Sequence, residues 1–297
     1  MPLAVFPKCF IQELCTGQMS VEQWIDTSSE LDVDGLEFYW PFTPANADQR
    51  RRIAARVAAQ NRSIPMMCYS PDFTQPEREV RDKEVRKQEN VLLACTDLSI
   101  RYCRVLSGQR RPGLDRDEAI LWVADCIHQL LPLAERLGIV LILENHYKDN
   151  FWEFPEFAQH SDVFVDLLNR IGKHPNFGVN FDPSNTLIAG EDPIELLRMI
   201  KGHVVTMHAS DRYLEAGTLT DLQRIDVDPM TGYSTLLKHG VIGCGLNDYD
   251  RIFAILASSG FAGWISIEDG ADPACGMEQL ALSATFLRKK MTEYGLR

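Results

Sequence analysis

The chain has 297 residues, of which 30 are Lys or Arg and 42 are Asp or Glu, for a formal net charge of −12. With 45% hydrophobic and 24% charged residues it is an ordinary globular mix, long enough for one large domain or two small ones. The acidic balance argues against a nucleic-acid or anionic-membrane partner, because either selects a basic patch.

No apolar run approaches the ~20 residues that a membrane span needs. The N-terminus MPLAVFPKCF lacks the basic stretch and long apolar stretch of a secretory signal. The eight cysteines (Cys9, Cys15, Cys68, Cys95, Cys103, Cys126, Cys244 and Cys275) are scattered, form no CxxC pair and lie mostly in apolar runs. They read as reduced, largely buried thiols of a cytoplasmic protein.

In chain order, short apolar runs alternate with helical patterns. A strand is expected over 4–9, then a helix over 20–31 opened by Ser20 and Gln23 at capping-box spacing. Strand 35–39 precedes helix 45–60, strand 64–69 precedes helix 78–98, and strand 101–106 precedes helix 117–137. That last helix puts Ala119, Val123, Cys126, Ile127, Leu130, Ala134 and Leu137 on one stripe and stops at Gly138. Pro132 inside it is expected to introduce a kink. Strand 140–144 precedes helix 162–171, and strand 177–182 precedes helix 193–200. Strand 204–208 precedes helix 249–258, and strand 264–268 precedes helix 277–294.

The strands are short and apolar on both faces, as parallel strands covered on both sides are. Eight strands and eight helices in strict alternation imply parallel βαβ units. Within this length they fit one (β/α)8 TIM barrel of class α/β, a single domain over 1–297. A doubly wound sheet is the rival, but no Gly-rich phosphate turn follows Cys9. Gly243-Cys244-Gly245 lacks both a third glycine and a preceding strand. Long segments after strands 5 and 7, residues 147–159 and 211–247, are expected on the active-site face. The first is aromatic, and Trp152 and its phenylalanines are candidates to face an apolar aglycone or another subunit.

Chemistry in such a barrel sits at the C-terminal ends of the strands. Strands 5 to 8 end in Glu144, Asp182, His208 and Glu268. Neighbouring strands are ~4.8 Å apart, so the four tips can converge. Three carboxylates in one apolar-walled mouth repel each other, and a divalent cation is the simplest remedy. Three oxygen donors and one imidazole suit Mn²⁺ first, with Mg²⁺ or Co²⁺ as alternatives. Any one of these residues alone would serve equally as a helix cap or an ion-pair partner; the shared position on successive strands sets them apart.

These motifs, ILENH at 142–146, NFDPSN at 180–185, MHASD at 207–211 and SIED at 266–269, carry a resemblance. The whole chain resembles the xylose isomerase-like TIM-barrel superfamily, in particular its sugar phosphate isomerase/epimerase group. The stretch Gly243-x-Gly245-x-Asn247-Asp248 is similar to a turn common in that group. The resemblance implies that Glu144, Asp182, His208 and Glu268 are metal ligands, and that Glu144 and Glu268 move protons next to a keto-sugar carbonyl polarised by the metal.

Other residues are candidates of less specific kinds. His146 lies two residues past Glu144 and, if the strand continues, faces the same way, either as a proton shuttle or as a loop histidine bonded to a neighbour. Arg212 is a candidate for a hydroxyl or phosphate oxygen, or for a surface ion pair. Asn185 is a candidate for a sugar hydroxyl or a helix cap, and Glu37 for a substrate hydroxyl or a neighbouring arginine. Trp40 and Tyr39 are candidates for an apolar wall over a sugar ring, or for core packing, and Lys148 is expected in solvent.

The chain departs from the ketohexose 3-epimerase branch at Asn185, where that branch has a histidine, and at Asn150, where it has a substrate glutamate. The extra His–Asp pair and lysine of xylose isomerase itself are not evident. The early-strand histidines of the superfamily's endonucleases are also absent from the ends of strands 2 and 3. A second reading follows the C-glycoside deglycosidase large subunits, which this barrel resembles. They eliminate an aglycone from a 3-keto-glycoside with a metal and pair with a small β-rich subunit. The implied substrate is a small keto-sugar or keto-glycoside, and the implied assembly a homo-oligomer or such a hetero-oligomer. A non-catalytic binding module is the third reading; it has no need of three carboxylates gathered at a barrel mouth.

Overall fold

The computed structural model describes residues 1–222, 234–270 and 272–296. The strands are β1 (Leu3–Val5), β2 (Gly35–Leu36 and Phe38–Tyr39), β3 (Met66–Cys68), β4 (Tyr102–Val105), β5 (Val140–Glu144), β6 (Phe177–Phe181), β7 (Val204–Ala209) and β8 (Trp264–Ile267). All pair in parallel. The two ends of the sheet are the two halves of β2, separated only by Glu37, so the sheet closes into a barrel. Gly35 pairs with Ala4 of β1 on one side and bridges Ser63 on the other.

Local chemistry explains where the elements depart from the sequence expectation. The strand expected over 4–9 ends at Val5, and Lys8–Phe10 is a 3-10 turn leading into helix Ile11–Thr16. Pro7 has no N–H to continue a ladder, so the last bond to β8 is from Phe6 N to Ile267 O at 2.8 Å. The helix expected over 20–31 is Val21–Thr27 followed by the 3-10 turn Ser28–Glu30, and its Ser20–Gln23 capping box is formed. Helix Arg116–Leu137 runs continuously through Pro132 to an αL cap at Gly138. The last helix starts earlier than expected, at Pro273, because Asp272 caps it.

The main core cluster fills the barrel and the layer beneath the helices, with Leu3, Val5, Leu36, Phe38, Leu141 and Leu143 all at 0% exposure, and a small second cluster joins Ile188, Leu222 and Leu237. All eight cysteines are free; Cys9, Cys68, Cys95, Cys103 and Cys126 are buried. Among the described residues no helix is long and apolar enough to cross a membrane.

The described parts of both long segments follow β5 and β7, as the sequence placed them. Residues 147–159 are tied to the segment after β4: Phe157 N donates to Gly108 O at 2.7 Å and Arg110 N to Pro155 O at 2.8 Å. Trp152 and Phe157 are buried, contrary to the expectation that this aromatic run faces a ligand or partner; Phe151 alone of the three is open, at 73% exposure. The segment after β7 forms an antiparallel hairpin, Asp211–Leu214 with Leu237–Gly240. Residues 223–233 of that excursion lie outside the described residues.

Candidate active site

The four strand-end residues meet. One ligand atom from each of Glu144, Asp182, His208 and Glu268 lies within 4.8 Å of the others. Their positions are set by backbone devices at each strand end. Asp182 Oδ1 caps helix Pro183–Ile188 by accepting from Ser184 N (2.8 Å) and Asn185 N (3.1 Å), and it also accepts from Ser210 Oγ at 2.7 Å. Asn145, next to Glu144, clamps the Asp182 backbone: its Nδ2 donates to Asp182 O at 2.6 Å and its Oδ1 accepts from Asp182 N at 2.9 Å. Three residues past His208, Asp211 accepts from the backbone of Gly243, Gly245 and Asn247 at 2.9–3.1 Å, which organises the turn before helix Tyr249–Ser258. Gly243 has φ +87°, and a Cβ on Gly245 would run into the Asp211 carboxylate, so this turn requires both glycines.

His208 is the hub. Its Nε2 lies 2.8 Å from Glu37 Oε1, which also accepts from Cys68 Sγ at 2.8 Å. Its Nδ1 lies 2.7 Å from Glu144 Oε1 and 2.9 Å from Glu268 Oε2. Burial opposes a charge on this ring, but Glu37, Glu144 and Glu268 outweigh it and raise its pKa well above the usual imidazole value. Two further cations hold the glutamates. Arg104 Nη1 donates to Glu144 Oε2 at 2.7 Å, and Lys8 Nζ donates to Glu268 Oε1 at 2.9 Å. Burial would raise the Glu144 carboxyl, yet His208 and Arg104 bring it down to about 2. Glu268 is likewise held well below the usual range, against burial, by Lys8 and His208. For Asp182 the balance goes the other way: burial, then the charges of Glu268 and Glu144, outweigh His208 and push it up to about 7.

The donor set fits a divalent cation. It offers three carboxylates and an imidazole nitrogen around one point, and Glu37 behind the imidazole fixes which nitrogen faces that point. Metal-ligating histidines are oriented in this way by a carboxylate on the far ring nitrogen.

A cleft opens beside the cluster. Phe6, Ile11 and Tyr39 are its apolar lining; Glu268, Asp149, Lys8, Arg104 and His146 are among its polar lining. His146 stacks on Tyr147 with ring centroids 5.0 Å apart, and burial pushes its pKa down to about 4, so it is neutral at physiological pH. Glu144 is fully buried and does not line the cleft, whereas Glu268 does.

The remaining sequence candidates divide. Glu37 is at 0% exposure and turned to His208 and Cys68, away from the cleft lining. Trp40 is half-buried against the core and is not part of the cleft wall, where its neighbour Tyr39 stands instead. Asn185 is buried; its backbone N–H serves the Asp182 cap. Arg212 is buried in the hairpin, with its guanidinium 5.8 Å from the Tyr147 ring centre. Lys148, expected in solvent, is buried at the cleft.

Sequence reasoning missed Lys8, Arg104 and Asp149. Lys8 sits beyond a strand cut short by Pro7. Arg104 lies inside an apolar strand with its charge turned into the mouth. Asp149 accepts from Tyr39 Oη (3.1 Å) and Ser70 Oγ (2.6 Å) in the cleft wall.

Comparison with known proteins places this geometry. Residues 25–290 match the family model described as xylose isomerase-like TIM barrel. An inosose dehydratase of Bacillus thuringiensis (strain Al Hakam) is 24% identical over 173 residues, which are 57% of this chain and 53% of that protein. The chain thus spans about half the length of that curated relative. An L-ribulose 3-epimerase structure superposes with a TM-score of 0.74 at 15% identity, covering 99% of this chain and 95% of that one. The structure of IOLI protein with a binding zinc atom gives 0.74 at 16% identity and 99% coverage of both chains. At these identities the structures show the shared fold. The chain belongs to the xylose isomerase-like TIM-barrel family.

Proposed function

We propose that this chain is a divalent-metal-dependent enzyme that removes the proton next to the ketone of a small keto-sugar or keto-cyclitol. The observation that carries this reading is the convergence of Glu144, Asp182, His208 and Glu268 beside a cleft that holds a carboxylate and a neutral imidazole. Those four residues would hold the ion, Mn²⁺, Mg²⁺, Co²⁺ or Zn²⁺, which when bound supplies Lewis acidity at the substrate oxygens.

Glu268 is the proton acceptor. It is the glutamate of the cluster that faces the cleft, and Lys8 keeps it ionised. Glu144 is fully buried and does not line the cleft, whereas His146 does, so the second acid/base role goes to His146. Lys8 and Arg104 at the mouth favour an anionic enolate over its neutral precursor. The apolar wall of Phe6, Ile11 and Tyr39 suits the C–H face of a ring.

The fate of the enolate depends on where the proton taken up by Glu268 goes next, with His146, neutral and so able to accept it, as the relay. Return to carbon gives isomerisation or epimerisation. Delivery to a departing oxygen gives elimination, the lyase reading. One observation favours elimination: the similarity to inosose dehydratases. Buried free thiols suit a cytoplasmic setting.

The test is incubation of the metal-loaded protein in D₂O with a keto-inositol and with a 3-keto-glucoside, followed by NMR. Deuterium entering recovered sugar marks an isomerase or epimerase. Loss of water or aglycone marks a lyase. Neither exchange nor product on either substrate class overturns the proposal.

A further inference from the structure

Glu156, in the segment after β5, has no part in the mechanism above. Its side chain is at 0% exposure. Its backbone is pinned by the bond from Glu156 N to Tyr147 O (2.7 Å) and by a bridge to Gln109. One carboxyl oxygen, Oε1, accepts from both Ser107 N (2.7 Å) and Ser107 Oγ (2.5 Å). The Ser107 hydroxyl is itself fixed, because it accepts from Ala158 N at 3.1 Å. The carboxyl group is therefore held in one orientation, with Oε2 turned away from Ser107.

Oε2 is buried and makes no hydrogen bond, and the same is true of His146 Nδ1. These two atoms lie 3.9 Å apart. A buried polar atom left without a partner is destabilising, so two such atoms facing each other are each other's natural partner, reached by a small rotation of the imidazole. With Nδ1 taken, Nε2 is the ring nitrogen left for the cleft that His146 lines.

We infer that Glu156 is a positioning residue for His146: its Oε2 pairs with Nδ1, fixes the ring tautomer and orientation, and presents Nε2 to the substrate. The chain Ser107–Glu156–His146 joins the ends of β4 and β5, so the imidazole is set by two strands and not by a loop alone. The consequence for catalysis rests on the role proposed for His146; the pairing itself does not.

The experiment is ¹⁵N NMR of the histidine rings in protein kept free of paramagnetic ions. The His146 signals are identified by their loss in His146→Gln. Wild-type protein is expected to show one ring tautomer, and Glu156→Leu a mixture. In steady-state assays Glu156→Leu is expected to lower kcat by ~10–100-fold with KM within about threefold, and Glu156→Gln, which keeps a hydrogen-bonding group, to recover much of the loss. Unchanged His146 signals in a folded Glu156→Leu protein overturn the inference, whatever the activity does. So does wild-type protein with both tautomers in comparable amounts, a result that needs no variant to fold. If the ring signals shift but wild-type protein turns over no keto-sugar, the pairing stands and the proposed function falls.

Discussion

The barrel mouth has two unlike halves. Strands β5 to β8 end in Glu144, Asp182, His208 and Glu268, the groups that would hold a cation. Strands β1 to β4 and the turns after them bring Lys8 and Arg104, which are cations, and Glu37, which holds the far side of the imidazole. The difference teaches how three carboxylates survive in a buried mouth. Lys8, Arg104 and a charged His208 already balance most of the negative charge. A divalent ion held there would therefore compete with the protein's own cations, and the early strands would tune its affinity without touching it.

The largest effect should come from the ligand half. Glu268→Gln is expected to cut turnover by ~10²–10⁴-fold with the circular dichroism spectrum unchanged. Full activity after exhaustive chelation would remove the metal from the mechanism.

Next is the balancing half. Arg104→Met leaves Glu144 buried without its cation and should cost ~3–5 kcal/mol in urea melts of metal-free protein. The loss should shrink when metal is added, and an equal loss in both forms would show that the ion and Arg104 do not share Glu144. Behind the imidazole, Glu37→Gln should weaken metal binding by ~10–100-fold in calorimetry while leaving the other three ligands in place.

The smallest effect concerns protons. The Asp182 carboxyl is raised to about 7, and an ion must displace its proton. Divalent affinity is therefore expected to rise with pH up to and through this value, and to fall about tenfold per pH unit below it for one competing proton. The raised His208 acts in the same direction. A flat affinity between pH 6 and 8 would show that neither group is protonated in the free protein.

The same division decides what was legible in the sequence. The convergence of the four strand-end groups could be read because each follows a short, mostly apolar strand, and four successive strands end in a carboxylate or an imidazole. The fold was legible for the same reason, since period and alternation are properties of whole segments. The balancing half could not be read in this way. Arg104 interrupts the pattern Tyr102-Cys103-Arg104-Val105 as if it were a surface charge, and only barrel closure turns it inward. Lys8 lies 260 residues from Glu268. Glu37 was noticed, but its partner His208 is 171 residues away, so its role as support appears only once β2 and β7 share a barrel. Glu156 sits in an aromatic loop whose sequence gives no hint that it returns to Ser107.

The stitching of the segments after β4 and β5 bears on how this barrel can be re-engineered. Gln109 binds across that seam as well: its Oε1 accepts from Glu153 N (2.8 Å) and Phe154 N (3.0 Å), beside the Gly108–Phe157 and Arg110–Pro155 backbone bonds. Loops of such barrels are commonly treated as interchangeable cassettes. Here residues 107–111 and 147–159 form one inheritable unit. A chimera that imports a new specificity through the second segment alone would arrive with half of its backbone partners missing, and the two must be transplanted together.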